Sequence, residues 1–190
     1  MGEYIRHLSI GKWVITSKST RSRWQYNPPM PMQPEEIRLG QLNLRFLIDG
    51  PASGSSLTMF EFEVAPGAKV PAAHSHDAYD ETIYGLEGTL TLSLLSPNGT
   101  PEQHQLTRGT SLFIPRGVPH RFDNLHSTPS CSLAVITPGI LGSQYFREVA
   151  AVLRSAMETK TPPDPASIGQ IMLRHGLTPA PHLAAPSVPA

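Results

Sequence analysis

The amino-acid sequence predicts an all-β domain followed by two helices, and three observations support this prediction. Apolar and polar residues alternate in short segments through the middle of the chain, as they do in half-buried strands. The 20 prolines and 15 glycines separate these segments and supply turns. After Gly139 the apolar residues recur at the spacing of a helix. Many short strands separated by turns are typical of a β-sandwich or a β-barrel.

Three strands are predicted by apolar side chains that alternate along one face, at 42–48, 58–64 and 90–94. Further short strands are expected at 83–86, 103–106, 111–114, 120–124 and 131–137. The inward faces of these strands are apolar, so we expect their larger side chains to line any internal site. The candidate wall residues are Phe46, Phe60, Phe62, Leu92, Phe113 and Phe122.

Two helices are predicted after the strands. Apolar residues between Tyr145 and Met157 recur at helical spacing and predict an amphipathic helix over 143–158. Asp164 as N-cap, followed by Pro165, predicts the start of a second helix that ends at Gly176. We expect the helix pair to cover one face of the barrel or to form a dimer contact. The tail from Thr178, rich in proline and alanine, is expected to be flexible.

The chain divides into three predicted parts. These are an N-terminal arm at 1–40, a β-barrel domain at 41–140, and a helical extension with a tail at 141–190. Closely spaced prolines prevent regular structure over 17–36. Trp24 and Tyr26 in this segment favour docking of the arm on the barrel or on a dimer partner over free disorder.

Composition limits the classes of function. With 190 residues, the chain is long enough for one domain with a substantial core. Its 15 basic and 15 acidic residues balance, so the composition gives no sign of a basic surface for nucleic acid or for a membrane. Neither is therefore an expected partner. A small-molecule ligand is therefore the expected partner.

Compartment is predicted from cysteine content and from the N-terminus. The single cysteine, Cys131, excludes an internal disulfide framework, and its apolar surroundings favour a structural thiol. No apolar run approaches the ~18 residues of a membrane-spanning helix. Residues 1–11 lack the apolar region of a signal peptide, so a cytoplasmic location is expected.

Four side chains are candidates for a divalent-metal site. His74 and His76 are two residues apart, so in an extended strand both imidazoles point to the same side. Glu81 follows a polar stretch suited to a bend, and His120 follows a turn fixed by proline and glycine. Three imidazoles and one carboxylate suit Fe, Mn, Ni, Cu or Zn better than Ca or Mg. Asp80 is an alternative carboxylate that strand parity alone leaves open.

These residues lie in two glycine-bounded blocks. The blocks are Gly67-x6-His74-Ser75-His76-x4-Glu81-x6-Gly88 and Gly109-x5-Pro115-Arg116-Gly117-x2-His120-x3-Asn124. In the order of these residues the chain resembles the cupin superfamily, and the resemblance extends from roughly residue 42 to residue 139. Gly67 and His74 are separated by one residue more than is usual in that family, which indicates a bulge where the strand begins.

The resemblance implies a jelly-roll, or double-stranded β-helix, barrel with one divalent metal ion inside, iron being preferred. The implied ligands are His74, His76, Glu81 and His120. It also implies a homodimer, and the balanced charge noted above predicts no nucleic-acid or membrane partner.

The expected function is that of a metal-dependent dioxygenase, similar to the small quercetin-dioxygenase-like cupins. Four protein ligands leave coordination positions open for water and substrate. The apolar inward faces favour a small oxygenated aromatic or enol substrate. Glu81 is expected to act also as a proton acceptor from the substrate hydroxyl. The alternatives are non-oxidative metal-dependent lyase, isomerase or decarboxylase chemistry, and a non-catalytic small-molecule-binding cupin.

Overall fold

A computed structural model of the chain describes residues 33–68 and 73–183. Most of the predicted arm, with Trp24 and Tyr26, lies outside the described residues, as do residues 69–72 of the six that separate Gly67 from His74. No helix within the described residues is long and apolar enough to cross a membrane.

The described residues form two antiparallel sheets and two helices. The strands are β1 (Glu35–Leu39), β2 (Leu42–Ile48), β3 (Thr58–Val64), β4 (His74–His76), β5 (Asp80–Glu87), β6 (Thr89–Leu95), β7 (Pro101–Thr107), β8 (Ser111–Ile114), β9 (His120–Asp123), β10 (Ser130–Thr137) and β11 (Leu177–Pro179). The helices are α1 (Ser143–Thr159) and α2 (Pro165–Arg174), with a short 3-10 helix at Gly50–Ser53. Every strand that the alternation predicted is present.

One sheet, sheet A, has the strand order β1-β2-β3-β10-β5-β8, and the other, sheet B, has the order β11-β4-β9-β6-β7. Sequence neighbours such as β4 and β5 lie in different sheets, so the chain crosses repeatedly between the two layers. This arrangement confirms the predicted all-β jelly roll with two C-terminal helices. Its core lies between the sheets, where Ile83, Leu92 and Ile136 are fully buried.

Two strands were not predicted, and both lie at sheet edges. Residues 35–39, placed in the arm by the sequence, form β1 and pair with β2 from Glu35↔Phe46 to Leu39↔Leu42. Thr178 and Pro179, expected in a flexible tail, instead belong to β11, which pairs with β4 through Leu177↔His76 and Pro179↔His74. Residues 184–190 of that tail lie outside the described residues. A strand of three residues is too short for alternation to be recognised.

Helix α1 packs on sheet A mainly through aromatic contacts. The Phe146 ring centroid lies 5.6 Å from that of Phe46 and 5.4 Å from that of Phe60. Phe46 and Phe60 belong to β2 and β3 and are themselves 5.0 Å apart. Burying a phenylalanine contributes about 1.5–3 kcal/mol, so this cluster fixes α1 against the sheet.

The start of α1 is fixed by a carboxylate from a distant loop. Asp49 accepts hydrogen bonds from the backbone N–H of Ser143 at 3.1 Å and from its hydroxyl at 2.6 Å. Gly142 lies so close that a Cβ there would stand 2.5 Å from an Asp49 carboxylate oxygen. The positive end of the helix dipole also favours an anion at this position.

We expect Asp49→Ala to lower the free energy of unfolding by about 1–2 kcal/mol, the usual cost of losing a side-chain cap. Urea unfolding followed by circular dichroism measures this change. Asp164→Ala, which removes the exposed cap of α2 on Ala166 and Ser167, is the reference for a cap without tertiary contacts. Unchanged stability of the Asp49 variant would show that the contact does not anchor α1.

Candidate metal centre

Three strands bring the four predicted ligand residues to one place between the sheets. His74 and His76 lie on β4, and His74 is directly opposite His120 on the neighbouring strand β9. Glu81 comes from β5 in sheet A, where it pairs with Ile114 of β8. The three histidines are therefore brought together by strand pairing in sheet B, and Glu81 reaches them because sheet A packs against sheet B.

The three histidines form a compact cluster. One ring nitrogen from each of His74, His76 and His120 lies within 4.8 Å of the others, so this group could hold a metal ion. The centroid of the His120 ring is 4.6 Å from that of His74 and 4.6 Å from that of His76. His76 and His120 are each 1% exposed.

Glu81 lies beside two of these histidines. Its Oε2 is 3.4 Å from His120 Nε2 and 3.7 Å from His76 Nε2. The group within 4.8 Å does not include it, so the structure places the carboxylate next to the cluster rather than equally near all three rings. Its role as a ligand stays a prediction, and a bound cation would offset the cost of burying this charge.

The neighbouring carboxylates point to other partners. Asp80 accepts hydrogen bonds from the backbone N–H of Arg116 at 2.9 Å and from its guanidinium at 2.9 and 3.1 Å. Asp77 accepts a hydrogen bond from the Thr178 hydroxyl at 2.8 Å. Among the contacts of these carboxylates given above, those of Glu81 reach the histidines, whereas Asp80 and Asp77 bind Arg116 and Thr178. Which carboxylate binds a metal stays a prediction.

The turn before β9 holds the histidine strands in register. Gly117 donates a backbone hydrogen bond to the His76 carbonyl at 2.8 Å. Its φ of 81° lies in the left-handed region, which a glycine adopts without strain. Together with the Arg116–Asp80 ion pair, this contact ties the turn to the corner between β4 and β5. The second block thereby positions His120 relative to His76.

The surroundings of two histidines determine how their ring nitrogens can be used. The carbonyl of Val118 can only accept a hydrogen bond, so His120 Nδ1, 2.9 Å away, carries a hydrogen. In the neutral ring, His120 Nε2 is the nitrogen with the free lone pair, and it is buried without a hydrogen-bond partner. Burial, with His120 nearby, lowers the pKa of His76 to about 3, so His76 is neutral at pH 7.

These observations fit a bound divalent metal. Neutral imidazole is the form that binds metal, and a backbone carbonyl on the far nitrogen is the usual means of fixing a ligand histidine. The lone pair of His120 Nε2 has no other partner among the described residues. Nitrogen donors with an adjacent carboxylate suit Fe, Mn, Ni, Cu or Zn, as the sequence predicts.

A buried tyrosine supports the cluster from behind. Tyr79, which is fully buried, stacks on His76 with the ring centroids 4.5 Å apart and an interplanar angle of 24°. On the other side its ring approaches Gly176, where a Cβ would stand 3.6 Å from it. Burial and the charge of Glu81 raise the pKa of Tyr79 well above its usual range, so its hydroxyl stays protonated. Sequence analysis did not identify Tyr79, because no spacing rule relates it to the ligands.

A cavity of about 60 Å³ adjoins the cluster. Its polar lining comes from His74, His76, Glu81 and Tyr145. The apolar lining is Leu39, Leu42, Leu44, Phe60, Phe62, Phe122, Leu141, Phe146, Val149 and Leu177. The strands thus supply one part of the wall, and α1 and the segments beside it supply the rest.

Three of the six predicted wall residues, Phe60, Phe62 and Phe122, line this cavity. Phe46 and Leu92 are buried in the core. The expectation for Phe113 is wrong, because its side chain is 58% exposed. Phe113 pairs with Thr82, the outward neighbour of Glu81, so the alternation places it on the outer face of sheet A.

Comparison with known proteins gives a family match. A model of the cupin domain matches residues 60–137, a range that contains all four predicted ligands. The tetracenomycin polyketide synthase protein TcmJ of Streptomyces glaucescens is 36% identical over 76 residues, covering 40% of this chain and 47% of that protein. Germin-like protein 1-1 of Oryza sativa subsp. japonica is 28% identical over 112 residues, covering 59% of this chain and 48% of that protein.

The chain spans about half the length of these curated relatives. Among solved structures, a point mutant of Bacillus subtilis oxalate decarboxylase OxdC superposes with a TM-score of 0.50 at 18% identity. The match covers 56% of this chain and 28% of that chain. At this identity the likeness shows the fold alone.

Replacing any one of His74, His76 and His120 by alanine should weaken binding of Zn²⁺ or Fe²⁺ by more than about 100-fold, since outer partners of a ligand alone are worth about 10–100-fold. Calorimetric titration of chelator-treated protein measures the affinity. His104→Ala is the control, because that ring lies on β7 and is 44% exposed. Equal affinity in a cluster variant and the control would exclude that histidine as a ligand.

The metal-free protein should lose stability as the pH falls from 6.5 toward about 3. The reason is that folding lowers the pKa of His76 from 6.5 to about 3. In this range the unfolded chain binds the proton and the folded protein does not, at a cost of at most about 1.4 kcal/mol per pH unit. Above it the ring is neutral in both states. Urea unfolding at several pH values tests this, and His76→Gln should have a shallower pH dependence. Equal slopes in both proteins would contradict the assignment.

Proposed function

Because the chain belongs to the cupin superfamily, we propose that it is a metal-dependent dioxygenase acting on a small oxygenated aromatic or enol substrate bound in the barrel. One observation carries this proposal. The three-histidine cluster and Glu81 adjoin a cavity whose other walls are almost entirely apolar. A polar reaction centre in an apolar cavity suits a substrate with few oxygen atoms on a hydrocarbon frame.

In this proposal His74, His76 and His120 hold the metal, with Glu81 as the fourth ligand. A redox-active divalent metal would lower the pKa of a substrate hydroxyl and support its reaction with O2. Glu81 takes the proton of that hydroxyl, since its carboxylate already lies within 3.7 Å of two of the metal-binding rings. Phe60, Phe62 and Phe122 exclude water and orient the hydrocarbon part.

The volume of the cavity limits how the substrate enters. About 60 Å³ holds two water molecules, whereas sites for drug-sized ligands are about 300–1,000 Å³. An aromatic ring therefore needs an outward displacement of α1, the helix that closes the cavity. Helix α1 is held by side-chain contacts rather than by strand pairing, so it is the part of the wall that moves at the lowest cost.

The likeness to TcmJ supports the choice of substrate class. That relative is named as a polyketide synthase protein, and the aligned segment is 36% identical. Compounds derived from polyketides combine an extended hydrocarbon frame with enol and phenol oxygens, which is the combination the cavity favours.

The second candidate is non-oxidative metal-dependent chemistry by a lyase, isomerase or decarboxylase. It is favoured by the position of Glu81, a buried carboxylate that can transfer a proton beside the metal without O2. In this case a redox-inert ion such as Zn²⁺ supports full activity. A binding protein without catalytic activity would retain the metal and the cavity but convert no compound.

We expect the protein reconstituted with Fe²⁺ or Mn²⁺ to consume O2 when mixed anaerobically with a flavonol or a catechol and then supplied with oxygen. Glu81→Gln should lower the rate by on the order of 10²- to 10⁴-fold, the usual contribution of a general base. The matched control is Glu63→Gln, a carboxylate on the outer face of sheet A beside Asn43. An oxygen electrode records the rate.

The alternatives give different results in the same experiment. Conversion of substrate by the Zn²⁺ form without oxygen uptake would replace the oxidative proposal by the second candidate. Binding without conversion under any metal would indicate a binding protein. A homodimer and a cytoplasmic location stay predictions, and sedimentation analysis tests the first of them.

A further inference from the structure

The C-terminal extension contributes directly to the cavity. Tyr145, Phe146 and Val149 of α1 line it together with His74, His76 and Glu81. These three residues lie beyond the segment matched by the family model, which ends at residue 137. The face of α1 that the sequence marks as a packing surface therefore also forms part of the ligand site.

Tyr145 is the one polar side chain that α1 brings to this cavity within the described residues. Its side chain is buried, with 8% exposure, and its ring lies 4.8 Å from Phe146 and 5.6 Å from His175. Burial alone raises the pKa of Tyr145 to about 12, so the hydroxyl is protonated at neutral pH. No described residue hydrogen-bonds to this hydroxyl.

The position of Tyr145 is fixed from both sides. Two residues before it, Ser143 is held by Asp49. Three residues after it, Glu148 accepts hydrogen bonds from Arg174 at 2.7 Å and from His175 at 3.2 Å. The His175 ring that packs on Tyr145 is therefore itself anchored to α1. These contacts hold the Tyr145 ring relative to α1, so its hydroxyl loses little freedom on binding a ligand even where α1 shifts outward to admit it.

Tyr79 also carries a phenol near the cluster, and its hydroxyl is buried without a hydrogen-bond partner. Its ring stacks behind His76, and it does not line the cavity. Tyr145 is therefore the tyrosine among the described residues that a molecule in the cavity would meet.

We propose that Tyr145 determines substrate specificity by donating a hydrogen bond to a second oxygen of a substrate whose first oxygen is held at the histidine cluster. This inference rests on the metal site of the proposed function but not on the dioxygenase reaction. It selects compounds with two oxygens on one small frame, such as catechols and enediols, over compounds with a single hydroxyl. It also makes α1 part of the binding site rather than a cover.

The test compares two chromophoric probes, 4-nitrocatechol and 4-nitrophenol, on the Zn²⁺-loaded full chain without oxygen. The wild-type protein should bind 4-nitrocatechol more tightly. Tyr145→Phe should reduce this preference by about tenfold, the value of one hydrogen bond of about 1.4 kcal/mol. The affinity for Zn²⁺ and the melting temperature of Tyr145→Phe should both equal those of the wild-type protein.

Tyr84→Phe is the matched control, because it removes a phenol hydroxyl from a side chain that is 41% exposed and absent from the cavity lining. It should leave the preference between the two probes unchanged. If Tyr145→Phe weakens both probes equally, the residue has only a structural role and the proposal fails. It fails also if the wild-type protein does not bind 4-nitrocatechol.

These outcomes are separate from those of the oxygen-uptake experiment, since binding to the Zn²⁺ form requires no turnover. If the preference for 4-nitrocatechol depends on Tyr145 but no oxygen is consumed, only the dioxygenase proposal is contradicted. If oxygen is consumed but Tyr145→Phe keeps the wild-type preference, only the specificity proposal is contradicted.

Discussion

The burial of two imidazoles and a carboxylate between two sheets, beside the half-buried His74, is the constraint on which the rest of this structure depends. Buried polar groups are costly unless they are paired, and here the pairing is incomplete within the described residues. The unpartnered atoms around the cluster include His76 Nδ1, His120 Nε2 and the Tyr79 hydroxyl. Their concentration at one place is expected of a site arranged for a ligand rather than for stability alone.

The contacts around the cluster limit its movement. The Val118 carbonyl fixes the His120 ring, Tyr79 stacks on His76, and the turn at Gly117 ties the two histidine strands together. A metal site needs such outer contacts, because ligands that rotate freely lose entropy on binding. The ion pair of Arg116 with Asp80 contributes by holding a competing carboxylate away from the histidines.

The C-terminal extension completes the site in two ways. Its last described strand, β11, pairs with β4 and so covers the edge of the strand that carries His74 and His76. Its first helix closes the cavity with Tyr145 and Phe146. The strand is held by backbone pairing, whereas the helix is held by the Asp49 contact at its start, ion pairs and an aromatic cluster. The edge of the histidine strand and one wall of the cavity are thus covered by different parts of the same segment.

Local signals in the sequence determined most of the architecture. Alternation gave the strands Leu42–Ile48 and Thr58–Val64 to the residue, and the Asp164 and Pro165 signal gave the start of α2. The spacing of His74 and His76 predicted a shared face, because side chains two residues apart in a strand point in the same direction. Strands of five and three residues at the sheet edges, β1 and β11, carried too short a pattern to be recognised.

The sequence by itself determined which side chains are able to form a metal site, since spacing and residue type are local properties. Only the tertiary structure decided that Glu81 rather than Asp80 faces the histidines, that Phe113 points outward, and that Tyr79 and Tyr145 stand near the cluster. The physical reason is that these outcomes depend on how β5 of one sheet, β4 and β9 of the other, and α1 pack together. Such contacts join residues distant in the chain, and no local periodicity encodes them.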